Sequence, residues 1–125
     1  IKYQIDKDVL SPDSVIVKGF SGDTLIKLTW MKPQSPSLIE KYYIIVSSPI
    51  DKDLLDIYSV QDNRDLCEYI ISDLTNDKPY DIYVIVKNDI GISEKSNKVT
   101  VVPNKDSGMN IDDSDDSYSN SIENY

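Results

Sequence analysis

Histidine and alanine are missing from this chain of 125 residues, cysteine and arginine occur once each, and there are four glycines. Without histidine there is no Ser-His or Cys-His pair for nucleophilic catalysis and no imidazole metal site. The single cysteine, Cys67, rules out an internal disulfide, which does not argue against secretion, because a self-sufficient core needs no bridge. The glycines are not grouped as a phosphate-binding loop. No apolar run approaches the roughly 18 residues of a membrane span. There is no Arg-Gly-Asp triplet, and no Asn-x-Ser/Thr sequon among eight asparagines. Carboxylates are plentiful, yet no two are spaced for acid–base work. The cluster Asp112, Asp113, Asp115 and Asp116 lacks the spaced ligands and turn glycine of a calcium loop. It reads as a solvating segment with at most a weak attraction for Ca²⁺. No catalytic, cofactor-binding or metal-binding residue is assigned, and the chain is read as non-enzymatic.

What is present is acid, isoleucine and tyrosine. The formal net charge is −9. Residues 1–103 hold 12 basic and 16 acidic groups, a balance of −4, and residues 104–125 contribute the other −5. Neither part has a basic stripe, so nucleic acid is a poor partner. Membrane insertion and a small-molecule substrate are not expected either. Ile, Lys, Asn and Tyr make up 46 residues, the signature of an AT-rich genome more than of function. The chain opens on Ile1 without a basic n-region or a small-residue cleavage site, and it reads as a piece of a longer or processed protein.

Short apolar alternations separated by turn clusters predict an all-β sandwich. Val15 and Val17 alternate in the first. "LIKLTW" places Ile26, Leu28 and Trp30 on one face, and Pro33 closes that strand because proline cannot donate to a ladder. "IEKYYIIV" offers Ile39, Tyr42, Ile44 and Val46 inward. "LLDIYSV" is a weaker strand at an edge, and "CEYIIS" turns Cys67, Tyr69 and Ile71 inward. Cys67 is thus read as a small buried hydrophobe. "YDIYVIVKN" is the sixth strand and "KVTVV" the seventh. From Asn104 onward the chain is Ser, Asp and Asn with isolated apolar residues, too polar to offset backbone ordering.

Trp30 to Pro33, the pattern "IEKYYIIV", and Leu74 followed six residues later by Tyr80 occur in order. Tyr80, Ile82, Val84, Val86, Asn88, Gly91, Ser93 and Ser96 complete the series. Together these residues resemble the fibronectin type III domain. The resemblance implies a seven-stranded antiparallel β-sandwich, with Trp30 and Leu74 as core residues. It also implies that Tyr80 is a corner tyrosine whose hydroxyl ties back to the upstream backbone. Gly91 is expected to be a turn residue with positive φ between the sixth and seventh strands. The organisation that follows is a linker or N-terminal stub at 1–10, a fibronectin type III-like domain at 11–103, and an acidic disordered tail or linker at 104–125.

The third and sixth strands are neighbours in the resembled topology, which leaves Tyr43, Ile45, Tyr83 and Ile85 on the outer face of one sheet, with Lys41 and Lys87 beside them. Two readings stand. Cross-strand apolar pairs stabilise a sheet surface by themselves, and a contiguous apolar patch also marks a contact site. The first gives a structural spacer, or an accessory module attached to an enzyme. The second gives a non-catalytic interaction or adhesion module whose partner is a protein or a neighbouring domain of the same chain. The resemblance leans toward an extracellular or cell-surface setting, for which the sequence itself carries no signal.

Overall fold

The computed structural model describes residues 11–53 and 55–106. The expectations for residues 1–10 and 107–125 lie outside them. The strands are β1 (Val17–Gly22), β2 (Leu25–Met31), β3 (Ile39–Ser47), β4 (Leu55–Val60), β5 (Leu66–Ile71), β6 (Tyr80–Asn88) and β7 (Val99–Val101). They form two antiparallel sheets, β1-β2-β5 and β4-β3-β6-β7. The result is the seven-stranded sandwich that the alternation predicts.

The two-residue period decides which side chains meet between the sheets. Ile26, Leu28 and Trp30 of β2 and Cys67 and Ile71 of β5 face Tyr42, Ile44 and Val46 of β3 and Tyr80, Ile82, Val84 and Val86 of β6. Trp30 is 2% exposed and stands edge-on to Tyr42, with ring centroids 5.2 Å apart, a geometry the ring quadrupoles favour. Trp30 Nε1 finds no hydrogen-bond partner among the described residues. Burial pushes the Tyr42 phenol well above the usual tyrosine range, and its hydrogen bond with Cys67 adds to the effect. Cys67 is fully buried, and burial raises its thiol too, so it is not poised as a thiolate.

β1 is longer than the alternation of Val15 and Val17 suggests, and the turn that follows is only Asp23 and Thr24. Thr24 has φ 59°, a costly conformation for a β-branched residue. It is held from outside: its N–H donates to Asn76 Oδ1 at 2.8 Å, and its carbonyl accepts from Leu74 N–H at 2.9 Å. Tyr80 makes the predicted corner, its hydroxyl accepting from Thr75 N–H at 2.9 Å. Leu74 packs half-buried against the core beside it.

The expectation for Gly91 is corrected. Its φ lies outside the left-handed region, because Asn88 shapes the turn instead. Asn88 Oδ1 accepts from Ile90 N–H at 2.9 Å and Gly91 N–H at 3.0 Å, and Asn88 N–H donates to Gly91 O at 3.1 Å. A side-chain amide that bonds its own following backbone replaces the conformational freedom of glycine. A Cβ at Gly91 would stand 3.0 Å from Ser11 Oγ, the end of a side chain that can turn aside.

The sandwich is closed along the β1–β7 side. Asn97 bonds both backbone groups of Val17, accepting from its N–H at 2.8 Å and donating to its carbonyl at 3.0 Å. Before β7 begins, two serine hydroxyls complete the β6 edge: Ser93 Oγ accepts from Val86 N–H and Ser96 Oγ from Val84 N–H. Gly19 faces β7, and a Cβ on it would lie 2.7 Å from Val101 Cγ2. On the other side, β4 and β5 approach through Tyr58 and Tyr69, ring centroids 5.7 Å apart.

Candidate functional site

The register places the four residues singled out from the sequence in two adjacent pairs. Tyr43 stands opposite Ile85 and Ile45 opposite Tyr83 on the β3–β6 ladder. Lys41 stands opposite Lys87 in the next row on the same face. Since paired residues of neighbouring strands share a face, β4 extends the surface. Ile57 pairs with Ile45, Ser59 with Tyr43 and Leu55 with Ser47. Leu55 and Ile57 are each 60% exposed, whereas Tyr43, Ile45, Tyr83 and Ile85 are half-buried. Ile92, bridged to Lys87 across the other edge, is also exposed.

Leu55, Ile57 and Ile92 were not singled out from the sequence. Leu55 and Ile57 belong to an edge strand that is short and irregular in its alternation, and its place beside Ile45 follows only from pairing, while Ile92 joins through its bridge to Lys87 at the other edge. With them, the outer face of β4-β3-β6-β7 carries an apolar band running from the β4 edge across to β6.

The rim of this band is basic, although the chain is acidic. Lys41 Nζ lies 6.0 Å from the Tyr43 ring centroid and Lys95 Nζ 4.8 Å from that of Tyr83, within cation–π range. Lys87 pairs with Glu40 at 2.9 Å, and this hydrogen bond raises the Lys87 pKa. Lys98 stands 3.8 Å from Asp81, whose other oxygen accepts from Thr100 Oγ1 at 2.6 Å. Both carboxylates are therefore engaged by neighbours, while Lys41 and Lys95 form no salt bridge among the described residues.

The opposite outer face also shows apolar side chains, Met31 and Leu66 as a cross-strand pair and Phe20 farther along. They are interrupted by Lys18, Thr29 and the Lys27–Glu68 ion pair. A groove of about 700 Å³ lies along the β2–β3 connection between Pro33, Pro36 and Leu38. Asp65 is the one carboxylate on its wall, so no pair of acids converges there. Among the described residues no group of three or more His, Cys, Asp or Glu is placed to hold a metal ion.

The family model of the fibronectin type III domain matches residues 10–102. The chain belongs to the fibronectin type III family. Among solved structures, one described as a myokine structure superposes with a TM-score of 0.63 at 17% identity, covering 76% of this chain and 100% of that one. The crystal structure of chicken CNTN1 FN1-FN3 domains superposes with a TM-score of 0.60 at 21% identity, covering 76% of this chain and 32% of that one. At these identities the likeness is one of fold. No curated protein is matched by the sequence at a significant level. Fibronectin type III domains are generally non-catalytic and commonly serve as interaction or adhesion modules in multidomain proteins.

Proposed function

We propose that this fibronectin type III domain is a non-catalytic protein-binding module whose contact surface is the outer face of β4-β3-β6-β7. The observation that carries the reading is the pairing of Tyr43 with Ile85 and Ile45 with Tyr83, continued by exposed Leu55 and Ile57. An apolar centre holding aromatic residues inside a polar rim is the anatomy of an interface. Two tyrosines with lysine stems laid against them add large contact area with few rotatable bonds. The partner is a protein or a neighbouring domain of the same chain. One observation favours the alternative of a spacer without a ligand: the four central residues are already half-buried within the domain itself.

The test is a titration. A partner is first identified by crosslinking to the wild-type chain, and its affinity is then measured for wild type and for Tyr43→Ser combined with Tyr83→Ser. Truncated interface aromatics often cost about 2 kcal/mol or more each, and about 1.4 kcal/mol is a factor of ten. The double variant should thus bind at least tenfold more weakly, while Met31→Ser with Leu66→Ser on the opposite face changes little. Equal affinity for wild type and the tyrosine double variant would leave the spacer reading in front.

A further inference from the structure

We infer that the acidic segment following the domain, residues 107–125, docks across the lysine-rimmed outer face of β4-β3-β6-β7 of its own chain. Two observations carry this: charge complementarity and reach. The segment contains Asp112, Asp113, Asp115, Asp116 and Glu123 and no basic residue. The face carries four lysines in a domain that is otherwise net acidic, and two of them, Lys41 and Lys95, hold no carboxylate among the described residues. The opposite outer face offers Lys18 and Lys27, and Lys27 is already paired with Glu68 at 2.8 Å.

The reach follows from the register. Val101 pairs with Tyr80, and Asn104 N–H donates to Gly22 O at 3.0 Å, so the chain leaves at the Tyr80 end of β6. Lys95 lies over Tyr83 on the way to Lys87 and Lys41, near the far end of the sheet. From Tyr80 to Lys87 along the strand is about 23 Å, at roughly 3.3 Å per residue. From Asp106 to Asp112 and Asp116 the chain spans up to about 20 and 35 Å when extended. From an exit beside Gly22 of β1, Asp112 can thus reach the level of Lys95 over Tyr83, and Asp116, near full extension, the level of Lys87. Ile111, just ahead of them, comes to the level of the apolar band.

The tether makes a weak contact count. A short linker gives an effective concentration on the order of mM, so even millimolar affinity keeps the segment docked much of the time. The docking stands on charge and reach alone. Its consequence, that the segment competes with a partner for the same face, rests on the function proposed above.

The experiment uses the full chain with a nitroxide attached at Ser114→Cys, where Cys67 escapes labelling because it is fully buried. Amide peak intensities of Tyr43, Tyr83, Ile85 and Lys95 should fall at least about twofold at ~20 mM salt, where the Debye length exceeds 20 Å, and recover at ~0.5 M. Phe20, Lys27 and Glu68 on the opposite face should be much less affected. Lys41→Glu with Lys95→Glu should abolish the broadening in an otherwise unchanged spectrum.

Broadening spread equally over both faces, or none at low salt, overturns the docking. So does broadening of equal strength when the nitroxide is carried by unenriched chains mixed with enriched, unlabelled ones, since the contact is then between copies. None of these outcomes depends on whether a partner protein binds, so the docking can fail while the binding function stands, and the reverse.

Discussion

Gly19→Ala is the substitution whose outcome runs against ordinary expectation. Gly19 sits inside β1 with a backbone that alanine can adopt, its φ lying outside the left-handed region. At such a position Gly→Ala normally stabilises by about 0.4–1 kcal/mol, because the unfolded chain loses freedom. Here the new Cβ would stand 2.7 Å from Val101 Cγ2, 3.3 Å from Val99 Cγ2 and 3.7 Å from Leu28 Cδ2. Carbon atoms prefer about 3.5–4.0 Å, so β7 must move away by a good part of an ångström. The Asn97–Val17 bonds resist that movement. Overpacking of this kind costs typically 1–3 kcal/mol, which outweighs the unfolded-state gain and leaves a net loss of about 1–2 kcal/mol.

The assay is urea denaturation followed by Trp30 fluorescence, repeated in a Val101→Ala background. Removing the Val101 methyls opens the space the new Cβ needs. The cost of Gly19→Ala should then shrink to nothing or change sign, a coupling of about 1–2 kcal/mol within the range for contacting residues. The thermal midpoint should fall by about 4–8 °C per kcal/mol for a domain of this size. A Gly19→Ala variant as stable as wild type, with additive effects in the cycle, would refute the close approach of β1 and β7.

Tyr80→Phe should destabilise by about 1 kcal/mol, toward the low end for a lost hydrogen bond because Thr75 is exposed to water. Tyr83→Phe, on the outer face, should stay within about 0.5 kcal/mol of wild type. Parallel denaturation curves decide, and reversed effects would shift the facing of β6 by one residue. Trp30→Ala removes the largest fully buried side chain of the core and should cost about 3–5 kcal/mol. An unchanged midpoint would show the ring is not central. Asp62 accepts from Arg64 Nε at 2.9 Å, Arg64 Nη2 at 2.8 Å and Glu68 N–H at 3.2 Å, and the Arg64 hydrogen bond holds its carboxyl well below the usual carboxylate range. A depressed folded-state pKa contributes stability that is present above the unfolded value of about 3.9 and is lost as pH falls through the folded one. Stability should therefore fall below about pH 4, and Asp62→Asn should be less stable at pH 7 and show a shallower acid limb in a series of urea melts. Identical acid limbs would remove Asp62 from that account.

The sequence by itself determined the strands, their inward sides and the corner tyrosine, since these follow from a two-residue period and short spacings. Which face Trp30, Tyr80 or Tyr83 presents is set within a few residues of each. That Tyr43, Ile45, Tyr83 and Ile85 share one outer face was legible from the alternation of the third and sixth strands and their expected adjacency, whereas the register that sets Tyr43 opposite Ile85 and Ile45 opposite Tyr83 was not. Only the tertiary structure decided what depends on distances between segments far apart in the chain. Asn97 reaches Val17 across 80 positions, and Gly19 is confined by Val99 and Val101, so nothing local marks either. Gly91 was misjudged because a glycine in a turn suggests positive φ, while Asn88 supplied the turn by side-chain hydrogen bonds. Leu55 and Ile57 joined the candidate site only through their register with β3, and Lys95 only through its seat over Tyr83. Periodicity is a property of one strand, whereas a surface is made by the strands that pairing sets side by side.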